Sequence, residues 1–263
     1  MMSYRVQSLN VFPVKSLRGI SVSAMTLDAS GFMHDREWML IDAQGKFLTQ
    51  RQLPRMALIN VTIKNRQLLI EAPQVTPLNV PCDINSLKHT QAVAVKIWND
   101  QCTGLLADES INRWFSDFLA VDCRLVKFDQ SKPRQVDQNY SRNVQDQIQF
   151  ADGFPFLLIG TASLDDLNRR LRNKAETPVS IEDSWKRIQI GDVTMDIVKP
   201  CSRCVIPTID IQTGVKSKEP IATLKLYRRR DGKIFFGQNL IHQYQTQQTI
   251  NVRDLVVSEP QGG

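Results

Sequence analysis

The sequence has few of the residues that build metal clusters and disulfide frameworks. It contains five cysteines (Cys82, Cys102, Cys123, Cys201 and Cys204) and three histidines in 263 residues. An odd number of cysteines in a chain of this length argues against a secreted disulfide scaffold and favours a reducing compartment. One Cys-x-x-Cys pair is present, and the sequence has no second pair to complete a four-cysteine zinc site.

Long hydrophobic runs are also missing. No segment approaches the roughly 18 apolar residues of a transmembrane helix, and residues 1–7 lack the apolar run and cleavage site of a secretory signal. We therefore expect a cytoplasmic protein that does not contact a membrane. The formal net charge is +6, but the basic residues are dispersed. The one dense run, Arg228-Arg229-Arg230, is typical of a solvated surface, and no aromatic-interleaved basic stretch predicts specific nucleic-acid binding.

Short apolar segments between turn residues dominate the sequence and predict a mainly β (α+β), barrel-like fold with a few short helices. We expect a smaller N-terminal β domain over residues 1–90 and a larger barrel domain over residues 91–263. The predicted strands cover residues 3–14, 36–41, 46–49, 56–63, 67–70, 93–98, 188–190, 193–198, 205–211, 233–236 and 249–257.

Helical periodicity is confined to a few segments. Residues 107–119 carry apolar side chains at the i, i+3, i+4, i+7 spacing of one helix face. In residues 163–171 three leucines share a face, and Ser163 with Asp166 resembles a capping box at the start of the helix. A further short helix is predicted over residues 222–227.

The segment from Lys199 to Asp210 is the most informative part of the sequence for chemistry, because it contains Cys201-Ser202-Arg203-Cys204. A zinc site would need two more ligands, but the histidines are isolated (His34, His89 and His242). A thioredoxin-like redox pair needs its first cysteine at a helix N-terminus, whereas the run that follows is β-branched and predicts a strand. Two small buried residues at the start of a strand are the third interpretation. The residues alone leave these alternatives open.

A series of short motifs connects this segment to the rest of the chain. In order, they are Pro13-Val14-Lys15-Ser16, Asp35-Arg36-Glu37-Trp38, Pro155-Phe156-Leu157-Leu158-Ile159, Asp183-Ser184-Trp185, Ile190-Gly191-Asp192, the Cys-Ser-Arg-Cys segment, Glu219-Pro220-Ile221-Ala222-Thr223-Leu224 and Phe236-Gly237-Gln238-Asn239. In this order they resemble the MOSC family, named for the C-terminal domain of molybdenum cofactor sulfurase. The resemblance is nearest to the bacterial YcbX-type and mitochondrial amidoxime-reducing branches, and it implies a MOSC β-barrel domain preceded by a smaller N-terminal β domain.

The resemblance implies a molybdenum–pterin cofactor (Mo-molybdopterin) and two-electron reduction of N-hydroxylated compounds, such as hydroxylaminopurines, amidoximes and hydroxylamines, in detoxification. Cys204 matches the cysteine that ligates the metal, and a thiolate suits such a soft site. Asp152 matches an aspartate near the metal and is the candidate for proton handling, although an Asp before Gly153 is also typical of a turn. Further positions match residues that hold the anionic pterin: Lys15, Ser16, Arg36, Ser202, Arg203 and Asn239.

Two departures from the family pattern qualify this expectation. Relatives carry a Phe-Arg-Pro-Asn segment before the Asp183-Ser184-Trp185 motif, and this chain passes from Thr177 to Glu182 without it, which is either a true deletion or an omission. Longer bacterial relatives add a ferredoxin domain, whose Cys-x4-Cys-x2-Cys spacing is missing here.

We therefore expect neither an iron–sulfur cluster nor pyridoxal phosphate in this chain, and electrons that come from a separate flavoprotein or ferredoxin-type protein. The small partner is an N-hydroxylated substrate. A sulfur-carrier or cofactor-delivery module without reductase turnover is the alternative function, and a catalytically silent binding protein is a further one.

Overall fold

The computed structural model describes residues 4–87, 90–142, 144–172, 181–245 and 248–260. Within these ranges the chain is built mainly from short strands in antiparallel pairs, with three α-helices. The predicted mainly β (α+β) fold is confirmed. None of the helices in these ranges combines the length and the apolar character needed to span a bilayer. The division into residues 1–90 and 91–263 stays a prediction.

The helices are α1 (Glu109–Leu119), α2 (Thr161–Leu171) and α3 (Ile221–Tyr227). The strands are, in chain order, β1 (Tyr4–Arg5), β2 (Leu9–Val11), β3 (Ile20–Val22), β4 (Ala24–Asp28), β5 (Gly31–Phe32), β6 (Trp38–Ile41), β7 (Asn60–Lys64), β8 (Gln67–Glu71), β9 (Leu78–Pro81), β10 (Ala92–Ile97), β11 (Asp100–Leu106), β12 (Arg124–Phe128), β13 (Arg134–Gln135), β14 (Gln147–Ile148), β15 (Phe156–Leu158), β16 (Trp185–Ile190), β17 (Val193–Ser202), β18 (Arg229–Arg230), β19 (Lys233–His242), β20 (Thr249–Asn251) and β21 (Leu255–Pro260).

The largest sheet brings the N-terminal strand β1 next to the C-terminal strand β21. Its strands lie in the order β1-β21-β16-β17-β19-β15, and the short strand β18 also pairs with β19. The strands predicted over residues 188–190 and 193–198 correspond to β16 and β17, which pair as a hairpin with Ile190 opposite Val193. Its turn residue Gly191 has a φ of +59°, which glycine adopts without a steric penalty. The long strands β17 and β19 therefore place the cysteine segment at the end of a central ladder.

A second sheet, in the order β10-β11-β12-β6, carries the other side of the site. Its buried side chains share one core with Phe150 (Met39, Ile41, Val95, Ile97, Val126 and Phe128). Ile97 pairs with Asp100 across a two-residue turn, in which Trp98 has a φ of +54°. The turn leaves the Trp98 side chain 47% exposed.

The three predicted helices are present. The periodicity over residues 107–119 corresponds to α1, which buries Ile111, Phe115, Phe118 and Leu119. The chain leaves this helix at Ala120, whose φ of +54° is left-handed and typical of a helix C-terminus. The apolar spacing in the sequence thus identified the face that packs against the core.

The predicted strand over residues 205–211 is wrong. The chain there forms a turn of 3-10 helix over Ile206–Thr208. Pro207 explains the difference, because it has no amide hydrogen for a strand ladder and its fixed φ suits the first turn of a helix. As a result the residues after Cys204 turn away from the sheet.

The predicted capping box of α2 is also wrong. Gly160 is the N-cap, and Ser163 lies inside the helix, where its hydroxyl donates to the buried carboxylate of Glu182 at 2.7 Å. Of the three leucines expected on one buried face, Leu167 is buried, while Leu164 and Leu171 are 43% and 38% exposed. A serine with a tertiary carboxylate partner no longer needs the helix N-terminus to satisfy its hydroxyl.

Candidate functional site

The site begins with a lysine whose side chain is buried under a turn. Lys15 follows Val14, which bridges Trp38 on β6, and only 6% of the lysine is exposed. Its ammonium donates to the carbonyl oxygen of Phe150 at 2.8 Å and forms an ion pair with the carboxylate of Asp152. A buried ammonium needs such partners, because its desolvation would otherwise be costly. The structure thus brings together two predicted site residues that are 137 positions apart.

Burial and neighbouring charges act in opposite directions on this pair. Burial lowers the pKa of Lys15, the Asp152 carboxylate opposes that effect, and Arg36 and Arg134 reinforce it. Burial alone would raise the pKa of Asp152, but Lys15, the Trp98 indole and Arg51 outweigh it and hold the pKa below its usual range. Asp152 is therefore an anion at neutral pH that sits among cationic groups, and 53% of its side chain is exposed.

Arg36 and Ser16 lie next to this pair. Arg36 has a φ of +51°, and its guanidinium pairs with the Asp35 carboxylate and donates to the carbonyl oxygen of Pro155 at 2.9 Å. Ser16 has a φ of +64°, and its carbonyl oxygen accepts a 2.8 Å hydrogen bond from the Gln50 amide. Lys15 and Arg36 thus both donate to carbonyl oxygens of the segment over residues 150–155.

The cysteine segment lies at the C-terminal end of β17 in the large sheet. Ser202 pairs with Phe235 on β19, and the Arg203 amide donates to the carbonyl oxygen of Ile234 at 2.7 Å. The Arg203 guanidinium lies 3.9 Å from the sulfur of Cys201. Cys204 follows as a free, partly exposed thiol. It is therefore not sealed in an apolar interior.

Electrostatics connects the cysteine segment to Asp152. Burial raises the pKa of the Cys201 thiol, Arg203 opposes this, and the nearby Cys204 and Asp152 raise it further. Cys201 is thus a neutral thiol, and both Cys204 and the Asp152 carboxylate contribute to its raised pKa. Asp152, the partner of Lys15, and Lys199, two residues before Cys201 on β17, line the same groove, so the N-terminal turn and the end of β17 border one site.

Asn239 lies on the strand that pairs with this segment. It is opposite Lys199 in the β17–β19 register, and its amide lies 3.3 Å from the Lys199 carbonyl oxygen and 3.4 Å from that of Pro200. The side chain therefore contacts the backbone just before Cys201. All the residues predicted for the site thus lie on this turn, around the 152–155 loop or along the β17–β19 ladder.

A groove of about 920 Å³ opens beside Asp152. Its walls come from the turn after β10, from β11, from residues 132–138 and from the 152–154 loop, and Lys199 borders it. A volume of this size accommodates a small organic molecule. The carboxylate of Asp152 is at its edge, within reach of such a molecule.

Three side chains of this region were not predicted. The Trp98 indole donates to the Asp152 carboxylate at 3.0 Å, and the Arg51 guanidinium lies 4.8 Å above the Trp98 ring. Arg134 is buried and donates to the carbonyl oxygens of Gln149 and Ala151 at 2.9 and 2.6 Å. Arg134 thereby fixes the loop that carries Asp152, and no periodicity or motif around it signals this role.

The donor groups of the site are the two thiols of the cysteine segment and the Asp152 carboxylate, with the basic side chains of Lys15, Arg36 and Arg203 on the same elements. Within the described ranges, no three His, Cys, Asp or Glu side chains come together as a metal-binding group. A metal held here by Cys204 would need its remaining ligands from another molecule. The segment in which the Arg-Pro-Asn motif is missing includes residues 177–180, which lie outside the described residues.

Two family models match the chain in succession. One, described as "MOSC N-terminal beta barrel domain", matches residues 3–122, and the other, "MOSC domain", matches residues 145–257. Mitochondrial amidoxime-reducing component 1 of Mus musculus is 34% identical over 264 residues, which cover 89% of this chain and 76% of that protein. The Homo sapiens protein of the same name is 34% identical, with 91% and 77% covered.

A third relative has a different name. Molybdenum cofactor sulfurase of Oryza sativa subsp. japonica is 31% identical over 268 residues, which cover 88% of this chain and 32% of that protein. The motifs quoted from the sequence, the consecutive domain matches and the extent of these similarities agree. The chain belongs to the MOSC family.

Proposed function

We propose that this chain is a molybdenum-cofactor-dependent reductase of N-hydroxylated compounds. The observation that carries the proposal is an open groove beside the Lys15–Asp152 ion pair that is also bordered by Lys199, two residues before Cys201 on β17. The chemistry comes from relatives that are named for amidoxime reduction and for the molybdenum cofactor. A cytoplasmic location and a role in detoxification belong to the same proposal.

The residues of the site fit this cofactor. Molybdopterin brings two dithiolene sulfurs and an anionic phosphate, so the protein has to add one soft ligand and several cationic or hydrogen-bonding groups. Cys204 is a free and accessible thiol, and Arg203 follows Ser202 directly before it. Lys15, Ser16 and Arg36 approach from the N-terminal turn, and Asn239 from β19. Arginine suits the phosphate because its planar fork binds oxygens bidentately.

Each group then has a defined role. Cys204 ligates the metal, and the basic and polar residues around it hold the pterin. When bound, the cofactor supplies the two electrons that break the N–O bond of the substrate. Asp152, kept anionic by Lys15, accepts a hydrogen bond from the N-hydroxylated group at the groove edge and orients it, while the open groove lets solvent provide protons. Electrons arrive from a separate flavoprotein or ferredoxin-type protein.

The test replaces the sulfur atom of Cys204 with oxygen. Cys204→Ser is expected to lose most of the bound molybdenum and to lower reduction of a hydroxylaminopurine by reduced methyl viologen at least about 100-fold, because an alcohol is a poor ligand for a soft metal. Molybdenum and pterin per protein are quantified beside the rate. Cys82→Ser is the control, since this cysteine is buried and lies outside the Cys201–Cys204 segment, and its molybdenum content should match the wild type. Wild-type molybdenum content and rate in Cys204→Ser would overturn the assignment.

A sulfur-carrier or cofactor-delivery module is the second candidate, favoured by the similarity to molybdenum cofactor sulfurase. The two functions differ in turnover. A carrier binds or transfers its cargo stoichiometrically, whereas a reductase converts many substrate molecules per protein with the viologen donor. Multiple turnovers by the wild type would exclude the carrier as the main function.

A further inference from the structure

The basic run Arg228-Arg229-Arg230 lies next to the cysteine segment in space. Arg229 and Arg230 form β18, which pairs with Ile234 and Lys233 on β19. Ile234 in turn accepts the 2.7 Å hydrogen bond from the Arg203 amide. The backbone of Arg229 is thus two strand spacings, about 10 Å, from the residue that precedes Cys204. The run is not a remote surface feature.

The three arginines of this run have different partners. Arg228 is largely buried and its guanidinium pairs with Asp183 at 2.7 Å, so it stabilises the fold. Arg229 and Arg230 are exposed, and the Arg230 guanidinium lies 5.1 Å above the Phe235 ring. Arg228 therefore has a structural role, whereas Arg229 and Arg230 carry surface charges.

The exposed charges belong to a larger surface, which we call the β18 basic face. It consists of Lys225, Leu226, Arg229, Arg230 and Lys233, all exposed. The turn between the strands adds one acidic group, Asp231. Leu226 is 85% exposed at the end of α3. This group of exposed basic side chains offers charge complementarity to an acidic protein, and Leu226 adds an exposed apolar side chain.

We infer that the β18 basic face is the docking site for an acidic one-electron donor protein. This inference rests on the proposed reductase function, since a reductase of this kind needs electrons at Cys204 and the described part of the chain holds no further metal-binding group that would store them. Opposite charges increase the rate of encounter and orient the donor before contact. The position beside Cys204 would then bring the donor's redox centre towards the metal.

The test measures binding directly, so that it does not depend on cofactor loading. A plant-type [2Fe–2S] ferredoxin serves as the acidic probe in calorimetric titrations at low ionic strength. Arg229→Glu with Arg230→Glu is expected to weaken binding at least about 10-fold, and Arg229→Gln with Arg230→Gln about 3-fold, because reversal adds repulsion to the lost attraction. Raising the salt to about 0.5 M should reduce the difference between wild type and variants.

The matched control carries the same change in charge elsewhere. Lys64→Glu with Arg66→Glu alters two exposed residues in the β7–β8 turn. At the other end of this hairpin, Asn60 and Glu71 line a small pocket together with Ile211, which follows the cysteine segment. The substituted turn is therefore the end of the hairpin that lies away from that segment. Ferredoxin affinity should change less than about 2-fold in this control, because distant surface charges are screened.

The outcomes separate the docking surface from the enzyme function. Weaker ferredoxin binding by the β18 variants, with viologen-driven reduction unchanged, supports the inference. Equal ferredoxin binding by wild type and both β18 variants, or no binding by the wild type, would overturn it. Tighter binding of single-stranded DNA than of ferredoxin, with the same loss in the variants, would also overturn it. Failure of viologen-driven reduction in the wild type would instead remove the proposed function.

Discussion

The two parts of the chain that meet at the candidate site are held in opposite ways. Lys15 is 6% exposed, donates to a backbone carbonyl and forms an ion pair with Asp152. Cys204 lies past the last strand pairing of β17, partly exposed, between the sheet and a single turn of 3-10 helix. The N-terminal side is thus held by an ion pair within the protein, and the C-terminal side presents a partly exposed thiol.

This difference has a consequence for stability and for binding. Both groups of a buried ion pair lose their hydration when the protein folds. Removing one partner therefore leaves the other charge buried without compensation, which destabilises the fold. The partly exposed Cys204 thiol contributes little to the free energy of folding. Its replacement should therefore affect ligand binding far more than folding. The comparison can be tested separately at each side.

The largest effect on stability is expected at the ion pair. Asp152→Ala leaves the Lys15 ammonium buried with one carbonyl partner, and we expect a loss of about 2 kcal/mol, less than for a fully buried pair because the carboxylate is half exposed. Lys15→Met with Asp152→Ala should recover most of this loss, since methionine fills a similar volume without a charge. Urea unfolding of the two single variants and the double variant measures the coupling. Additive losses would contradict a shared ion pair.

An intermediate effect is expected from pH. The pKa of Asp152 is lowered in the folded state, so its stabilisation is present above the unfolded pKa of about 3.9 and is lost as the pH falls through the folded pKa. The difference in unfolding free energy between wild type and Asp152→Asn should therefore be constant from pH 5 to 7, on the order of 1–2 kcal/mol, and shrink below about pH 4. A difference that grows on acidification would show that the carboxylate is not paired as described.

The smallest effect is expected at the first cysteine of the segment. The Cys201 sulfur has a long contact of 3.9 Å with the Arg203 guanidinium and is partly buried. Cys201→Ala should cost no more than about 1 kcal/mol and should leave molybdenum bound per protein unchanged. Thermal unfolding and metal analysis check both points. Loss of molybdenum on this substitution would place the metal ligand at Cys201 rather than Cys204.

The sequence predicted the local elements well where one physical signal dominated. The buried face of α1 followed from apolar spacing, and the strands before and after Gly191-Asp192 were predicted where β16 and β17 lie. The segment after Cys204 was misjudged because its β-branched residues favour a strand while Pro207 favours a helical turn, and the fold resolves the conflict in favour of the proline. Ser163 was misplaced because its partner, Glu182, lies 19 residues away.

The site was predictable only as a set of positions. Lys15, Arg36, Asp152 and the Cys201–Cys204 segment were identified by resemblance, which carries no geometry. The order of the motifs did not show that Lys15 pairs with Asp152, and Trp98 and Arg134, which fix that carboxylate and its loop, belong to no motif. Such residues act through contacts between distant strands, and a pattern along the chain does not record them.

The sequence by itself determined the mainly β character, the family and the chemical types available: one Cys-x-x-Cys pair, dispersed basic residues and a run of three consecutive arginines. Only the tertiary structure decided which of these meet. The pairing of β18 with β19 places the arginine run beside the cysteines, and the burial of Lys15 against Phe150 selects Asp152 as its partner. The physical reason is that burial and charge pairing depend on distances between strands that are far apart in sequence.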